Sequence, residues 1–196
     1  MAQPSSKRRT GGRSARVRQS VLAATLQAVA EGGATAVSIP DIARRADVHV
    51  TSIYRRWPTK EHLILDALLD YARGHMPAPD TGTVRSDLIA MAGLLVGNLQ
   101  SPLGRAVSRS MAVADDNADL DESRVQFWQA RFEAARTVID RAVARGELAS
   151  DADPALALEV LIAPLYFRAL LTRQPVEEDF ITRLVDLLLR GLGEAS

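Results

Sequence analysis

Between Val48 and Lys60 the side chains of Thr51, Ser52, Tyr54, Arg55 and Lys60 carry hydroxyl, guanidinium and ammonium donors, and no Asp or Glu lies among them. On a helix turning about 100° per residue with Ile53 facing inward, Val50 and Trp57 fall within about 60° of it and join a core. Thr51 and Arg55 then point the opposite way, with Ser52 and Tyr54 on the flanks. Such a ridge suits base edges and the phosphates beside them. Arg binds guanine bidentately, Thr meets a thymine methyl or a base edge, and Ser and Tyr hydroxyls anchor phosphate oxygens. An ordinary solvated helix face carries about as many acids as bases, so the missing acids set this one apart. Lys60 opens the next helix behind Thr59, a position the macrodipole disfavours, and there it and the free amides would clamp a phosphate.

The elements that must hold this ridge are legible too. Ser38 can cap a helix over 39–46, with Asp41 in the place of a capping-box partner, and Ile42, Ala43 and Ala46 face inward. The turn Asp47-Val48-His49 has the length that joins two helices in a helix-turn-helix. Its first residue needs a positive φ, which Asp tolerates better than most, and Val48 plugs the angle. The pattern predicts about nine helices, near 15–31, 39–46, 50–56, 60–75, 84–99, 102–114, 120–145, 154–172 and 178–192, and no strands. The fold class is therefore all-α. A basic tail over 1–14 has almost nothing to bury and reads as disordered, or as an arm along phosphates. The helix-turn-helix unit runs over 15–75, and His75 to Asp80, with two prolines, separates it from a helical body over 76–196.

Charge divides the same way. The chain balances at zero, but residues 1–73 hold 12 Lys/Arg against 6 Asp/Glu, and residues 74–196 hold 12 against 18. A polyanion therefore faces the first part and not the second. Without cysteine there are no disulfides, thiolate metal sites or thiol nucleophiles, which suits a cytoplasmic protein. No apolar run approaches the roughly 20 residues of a membrane span. The basic start before Val21–Ala30 resembles a signal peptide only until Thr25 and Gln27 interrupt it, as in an amphipathic helix. An enzyme is the main competing class, but there is no Gly-rich phosphate loop, no nucleophile elbow and no zinc spacing among His49, His62 and His75. The reading therefore assigns no catalytic residue, metal or cofactor.

These residues resemble the N-terminal domain of the tetracycline-repressor (TetR) family of bacterial regulators. The resemblance runs from Val21-Leu22 through Gly33, then Val37-Ser38-Ile39-Pro40-Asp41-Ile42-Ala43-Arg44-Arg45-Ala46-Asp47-Val48, then Ser52 through Leu63. It departs from the family at Asp47, where a turn glycine is usual, at His49, where a capping Ser is usual, and at Trp57, which takes the core role of a Phe. His49 caps poorly when neutral but can donate to a phosphate when charged. The resemblance implies a homodimer whose recognition helices enter successive major grooves of a near-palindromic double-stranded operator. Ser38, Tyr54 and Lys60 would hold phosphates, while Val50, Thr51 and Arg55 would approach bases. The usual regulation is repression relieved by a small-molecule effector.

The resemblance assigns residues beyond about 75 to ligand binding and dimerisation. Residues 154–172 are apolar nearly all round, so most of that helix must be covered. We expect a four-helix dimer interface from the last two helices, with Leu161, Leu165, Arg168, Leu184 and Leu188 in it and a kink at Pro164. The segment Ala163 to Arg168 resembles an actinobacterial-type C-terminal domain. Met91, Leu95, Met111, Phe127, Trp128, Phe132 and Tyr166 are candidates for an effector pocket, although Met and aromatics at helical spacing are also ordinary core. Arg105, Arg109 and Arg131 are candidates to fix a polar group in it. A DNA-binding protein without an effector is the second alternative, and a thermal-shift screen separates the two.

Overall fold

A computed structural model describes residues 11–112 and 118–192, with side chains over 14–109 and 121–192. Among these residues all regular structure is helical: α1 (Gly11–Gly32), α2 (Ile39–Ala46), α3 (Val50–Tyr54), α4 (Lys60–His75), α5 (Val84–Gln100), α6 (Pro102–Ala112), α7 (Ala118–Ala144), α8 (Pro154–Tyr166), a π-helical turn (Phe167–Thr172) and α9 (Glu178–Leu192). The expected tail is half corrected. Residues 1–10 lie outside the described residues, but 11–14 already belong to α1. The break expected between the helices at 102–114 and 120–145 also falls on residues outside them, 113–117.

The helix ends follow local chemistry. Thr59 caps α4 by accepting the His62 N–H, Thr83 caps α5 by accepting the Ser86 N–H, and Asp153 caps α8 through two amides ahead of Pro154. Ser38 sits at the N-cap of α2 but makes no side-chain cap bond, contrary to expectation. Asp41 instead accepts from Arg44 and, at 2.6 Å, from Arg45, whose other end reaches Glu31 at 2.8 Å. Thr25 is fully buried and returns its hydroxyl to the Val21 carbonyl, so a polar residue within the apolar run costs α1 little.

Two apolar clusters form. The first joins α1 to α4 around Leu22, Ile42, Ile53, Leu63 and Leu68, and it recruits Val107 of α6 and Phe127 of α7. The second joins α5, α7, α8 and α9 around Leu88, Ile139, Leu161 and Val185. The N-terminal unit therefore rests on the body through α1 against α6 and α4 against α7. A polar pin reinforces the seam: the Tyr71 hydroxyl of α4 donates to Asn98 Oδ1 of α5 at 2.6 Å. Gly104, in the first turns of α6, lies so close to Asn98 that a Cβ there would overlap its carbonyl and side chain.

Residues 154–172 pass through Pro164 as α-helix and then widen into the π turn, which ends at Arg173 in the left-handed region. Proline withholds the N–H that would bond one turn back, which weakens the regular ladder just where it changes period. By length and a mean hydropathy of 1.7 this 19-residue stretch could cross a membrane. It carries Glu159 and Arg168, however, and its Leu158, Leu161 and Leu165 side are sealed in the protein core.

That burial corrects the expected dimer residues. Leu161, Leu165, Leu184 and Leu188 are 0–8% exposed within one chain and belong to its own core. Arg168, by contrast, is only half-buried, its guanidinium 4.1 Å from the Phe180 ring centroid and 3.0 Å from Gln174 Oε1. The uncovered apolar side chains on the same helices are Leu156, Val160, Phe167 and Leu171, with Leu187 on α9.

Candidate nucleic-acid interface and ligand cavity

The α2–α3 corner is built by the backbone. Asp47 adopts φ 53°, ψ 52°, with its N–H directed to Arg44 O, while the Val48 N–H reaches Ala43 O at 3.0 Å. This is the paired closure of a Schellman motif, made without glycine. His49 stands at the N-cap of α3 in extended conformation and makes no side-chain cap bond. Val48 and Val50 are half-buried against the first cluster, and Ile53 and Trp57 are buried in it. With those four inward, Thr51, Tyr54, Arg55 and His49 are exposed and Ser52 is half-exposed.

The helix is shorter than expected, ending at Tyr54, and Arg55 is its C-cap. Its φ −62°, ψ −28° still continue the helical direction, so the ridge from Thr51 to Arg55 survives. No carboxylate pairs with Arg55 among the described residues, whereas Arg44 and Arg45 are both held by Asp41. The guanidinium bonds of those two hold the Asp41 carboxyl below the usual carboxylate range. Of the arginines on this corner, Arg55 and Arg56 have no carboxylate partner among the described residues; Arg56 lies over the Trp57 ring at 5.4 Å, and Arg55 stands on the ridge with Thr51.

Trp57 anchors the end of α3. Its Nε1 donates to Asp66 Oδ2 at 3.0 Å, while Arg18 of α1 bonds Asp66 Oδ1 at 2.6 Å and Asp70 at 2.7 Å. Hydrogen bonding from Arg18 holds the Asp70 carboxyl low, and Asp70 in turn raises the guanidinium. This tie fixes the recognition helix to α1 and α4. Sequence reasoning missed it, though Asp66 and Asp70 at i,i+4 opposite an Arg on α1 were a visible signal. Lys60 Nζ lies 3.5 Å from the Thr35 carbonyl, at the long edge of a hydrogen bond. It therefore sits beside the loop leading to Ser38, and the exposed Ser38 hydroxyl is unused by its own helix.

In the body, Met91, Leu95, Phe127, Trp128, Phe132 and Tyr166 converge on one cavity of about 50 Å³. Met111 lies on α6, but its side chain falls outside the described residues. Sequence reasoning did not foresee that Met76, Pro77 and Ala78 of the interdomain link form part of the wall. Of the three candidate arginines only Arg131 lines the cavity, whereas Arg105 and Arg109 line a different, open groove near Gln174. Trp128 presents an edge contact to Tyr166 with centroids 5.9 Å apart, and another to Phe127 at 5.4 Å.

A donor ridge free of acids, projected from a two-helix corner and pinned to a helical body, defines a helix-turn-helix DNA-binding regulator. Comparison with known proteins gives the family. Residues 21–67 match the model described as bacterial regulatory proteins, tetR family, and residues 78–188 match the tetracyclin repressor-like C-terminal domain. The HTH-type transcriptional regulator AqdR of Rhodococcus erythropolis is 41% identical over 149 residues, covering 76% of this chain and 72% of the relative. The DNA-binding transcriptional repressor TetR of Mycobacteroides abscessus is 34% identical over 171 residues, covering 86% and 90%. The crystal structure of a TetR family transcription regulator superposes with a TM-score of 0.73 at 30% identity, covering 91% of this chain and 99% of that one. The chain belongs to the tetR family of bacterial transcription regulators.

Proposed function

We propose that this regulator acts in the cytoplasm as a homodimer on a near-palindromic operator. Arg55, Thr51 and the edge of Val50 read bases, while Ser38, His49, Ser52, Tyr54 and Lys60 hold phosphates. The observation that carries this is the exposed Arg55, without a carboxylate partner among the described residues, on an acid-free ridge whose reverse side is locked by Ile53 and Trp57. A symmetric dimer sets two such ridges about 34–36 Å apart, one turn of duplex, which demands an inverted repeat.

The dimer surface is the stripe Leu156, Val160, Phe167 and Leu171 with Leu187. Five large apolar side chains on two adjacent helices are more than a monomer ordinarily leaves wet. The cavity between α5, α7, α8 and the link after α4 receives a small-molecule effector, which lowers operator affinity and lifts repression. Its wall includes Met76 at the end of α4, the helix that also holds the recognition unit through Asp66, so filling it strains the path to DNA.

Selection of binding sites from random duplex DNA tests the reading. An inverted repeat with half-sites spaced by whole helical turns is expected. Recovery of no motif, with only salt-sensitive binding, would reduce the interaction to non-specific phosphate contact and overturn it.

A further inference from the structure

The ligand cavity is lined mainly by apolar side chains. Four aromatic rings, two methionines and several leucines line it, and the guanidinium of Arg131 is set among them. Arg131 Nη1 donates to the Met76 carbonyl at 3.1 Å, a neutral acceptor, and no carboxylate pairs with Arg131 among the described residues. Burial, only partly offset by the phenol of Tyr166, pushes the guanidinium below its ordinary value. Burial likewise pushes the Tyr166 hydroxyl up, against a hydrogen bond with Ser108, so it stays a neutral donor. A cation set in an apolar wall with only a carbonyl for company is a costly arrangement for stability alone. It is a favourable one for receiving an anion.

The shape of the space adds a second constraint. About 50 Å³ holds a water or two, well short of the roughly 300–1,000 Å³ of an occupied small-molecule site. Trp128 and Phe132, which close the cavity on one side, also form the wall of a surface groove between α7 and α8 with Val125 and Leu158. Those two rings are therefore the partition between the small cavity and the open groove, and a ligand larger than the cavity has to displace them.

We propose that this cavity takes a ligand with an apolar body and one anionic group, the body against the rings of Phe127, Trp128 and Phe132 and the anion on Arg131 and the Tyr166 hydroxyl. The proposal rests on the reading of this cavity as the effector site and adds the chemical class of the effector. A charge-assisted bond at a partly buried guanidinium discriminates an anion from its neutral analogue by about tenfold or more.

A matched pair of fluorescent probes tests it. 8-Anilinonaphthalene-1-sulfonate and N-phenyl-1-naphthylamine share one ring system and differ by the sulfonate. Dissociation constants are measured for both by fluorescence titration on the full-length protein, Arg131→Met and Arg131→Lys, each shown by thermal melting to be folded. We expect the native protein to prefer the sulfonate by about tenfold or more. Arg131→Met is expected to lose that preference with the neutral probe unchanged within about twofold, and Arg131→Lys to keep part of it. Equal affinities in the native protein, or a loss in Arg131→Met that affects both probes alike, overturns the anionic class and leaves the cavity reading standing. Failure of both probes to bind overturns the cavity reading and the proposal with it.

Discussion

Replacing Asp66 by Ala removes the acceptor that locks the end of the recognition helix to the rest of the DNA-binding unit. Its Oδ2 takes the Trp57 indole N–H at 3.0 Å and its Oδ1 takes Arg18 at 2.6 Å. Trp57 is 5% exposed, so its N–H would be left without a partner, a cost of about 1–2 kcal/mol. Arg18 keeps Asp70, and the Arg18–Asp66 pair is partly open to water, with side chains 21% and 30% exposed, which screens its share to about 1 kcal/mol. The expected loss is about 2–3 kcal/mol, or about 5–10 °C in melting temperature for a chain of this size. Circular dichroism melting of Asp66→Ala, Trp57→Phe and the double variant separates the indole bond from the volume change at Trp57. A coupling energy of about 1 kcal/mol is expected. A coupling within about 0.3 kcal/mol of zero would refute the tie and leave Trp57 as filler alone.

Gly104→Ala should destabilise by about 1–3 kcal/mol in the same assay, because its Cβ meets the Asn98 carbonyl and displaces the residue that accepts from Tyr71. Leu171→Glu with Leu187→Glu should convert a dimer to a monomer in sedimentation equilibrium while leaving each protomer folded, since both side chains point to solvent in one chain. Acidification should also destabilise. Burial alone raises the Asp87 carboxyl, but the Thr81 N–H at 2.5 Å, the Thr81 hydroxyl at 2.7 Å and the fields of Arg141 and Arg145 outweigh it, so its pKa is depressed. A depressed carboxylate contributes stability above its unfolded value of about 4 and loses it as pH falls through the folded value. Melting temperature should therefore hold near neutral pH and drop below about pH 4, and Asp87→Asn should flatten that drop.

Much of this fold could be read from sequence because its helix ends are written in side chains. The bounds of α2, α4 and α9 coincide with expectation, where Asp47, Thr59 and the acids Glu178 and Asp179 mark the turns. The recognition ridge was legible because Ile53 and Trp57 fix the phase of α3, although its early end at Tyr54 was not. Which apolar stripe of the eighth helix the chain buries was not legible, for a physical reason. Residues 154–172 carry two apolar stripes of similar composition, Leu158-Leu161-Leu165 and Leu156-Val160-Phe167-Leu171. Only the packing of α5 and α9 decides which stripe the chain keeps for itself. Arg131 posed the same difficulty, because nothing local distinguishes it from Arg105 or Arg109 until the link at Met76 and α8 pack beside it.

The most direct test of the central claim is the base preference of Arg55→Ala, determined by selection from random duplex DNA beside the native protein and Lys60→Ala. Reading by the ridge predicts that Arg55→Ala flattens the preference at one position of each half-site, at a cost of about 1–3 kcal/mol there. It also predicts that Lys60→Ala weakens all duplexes alike and leaves the motif intact. A motif unchanged in Arg55→Ala would contradict it, because the free guanidinium opposite Ile53 would then contact no base.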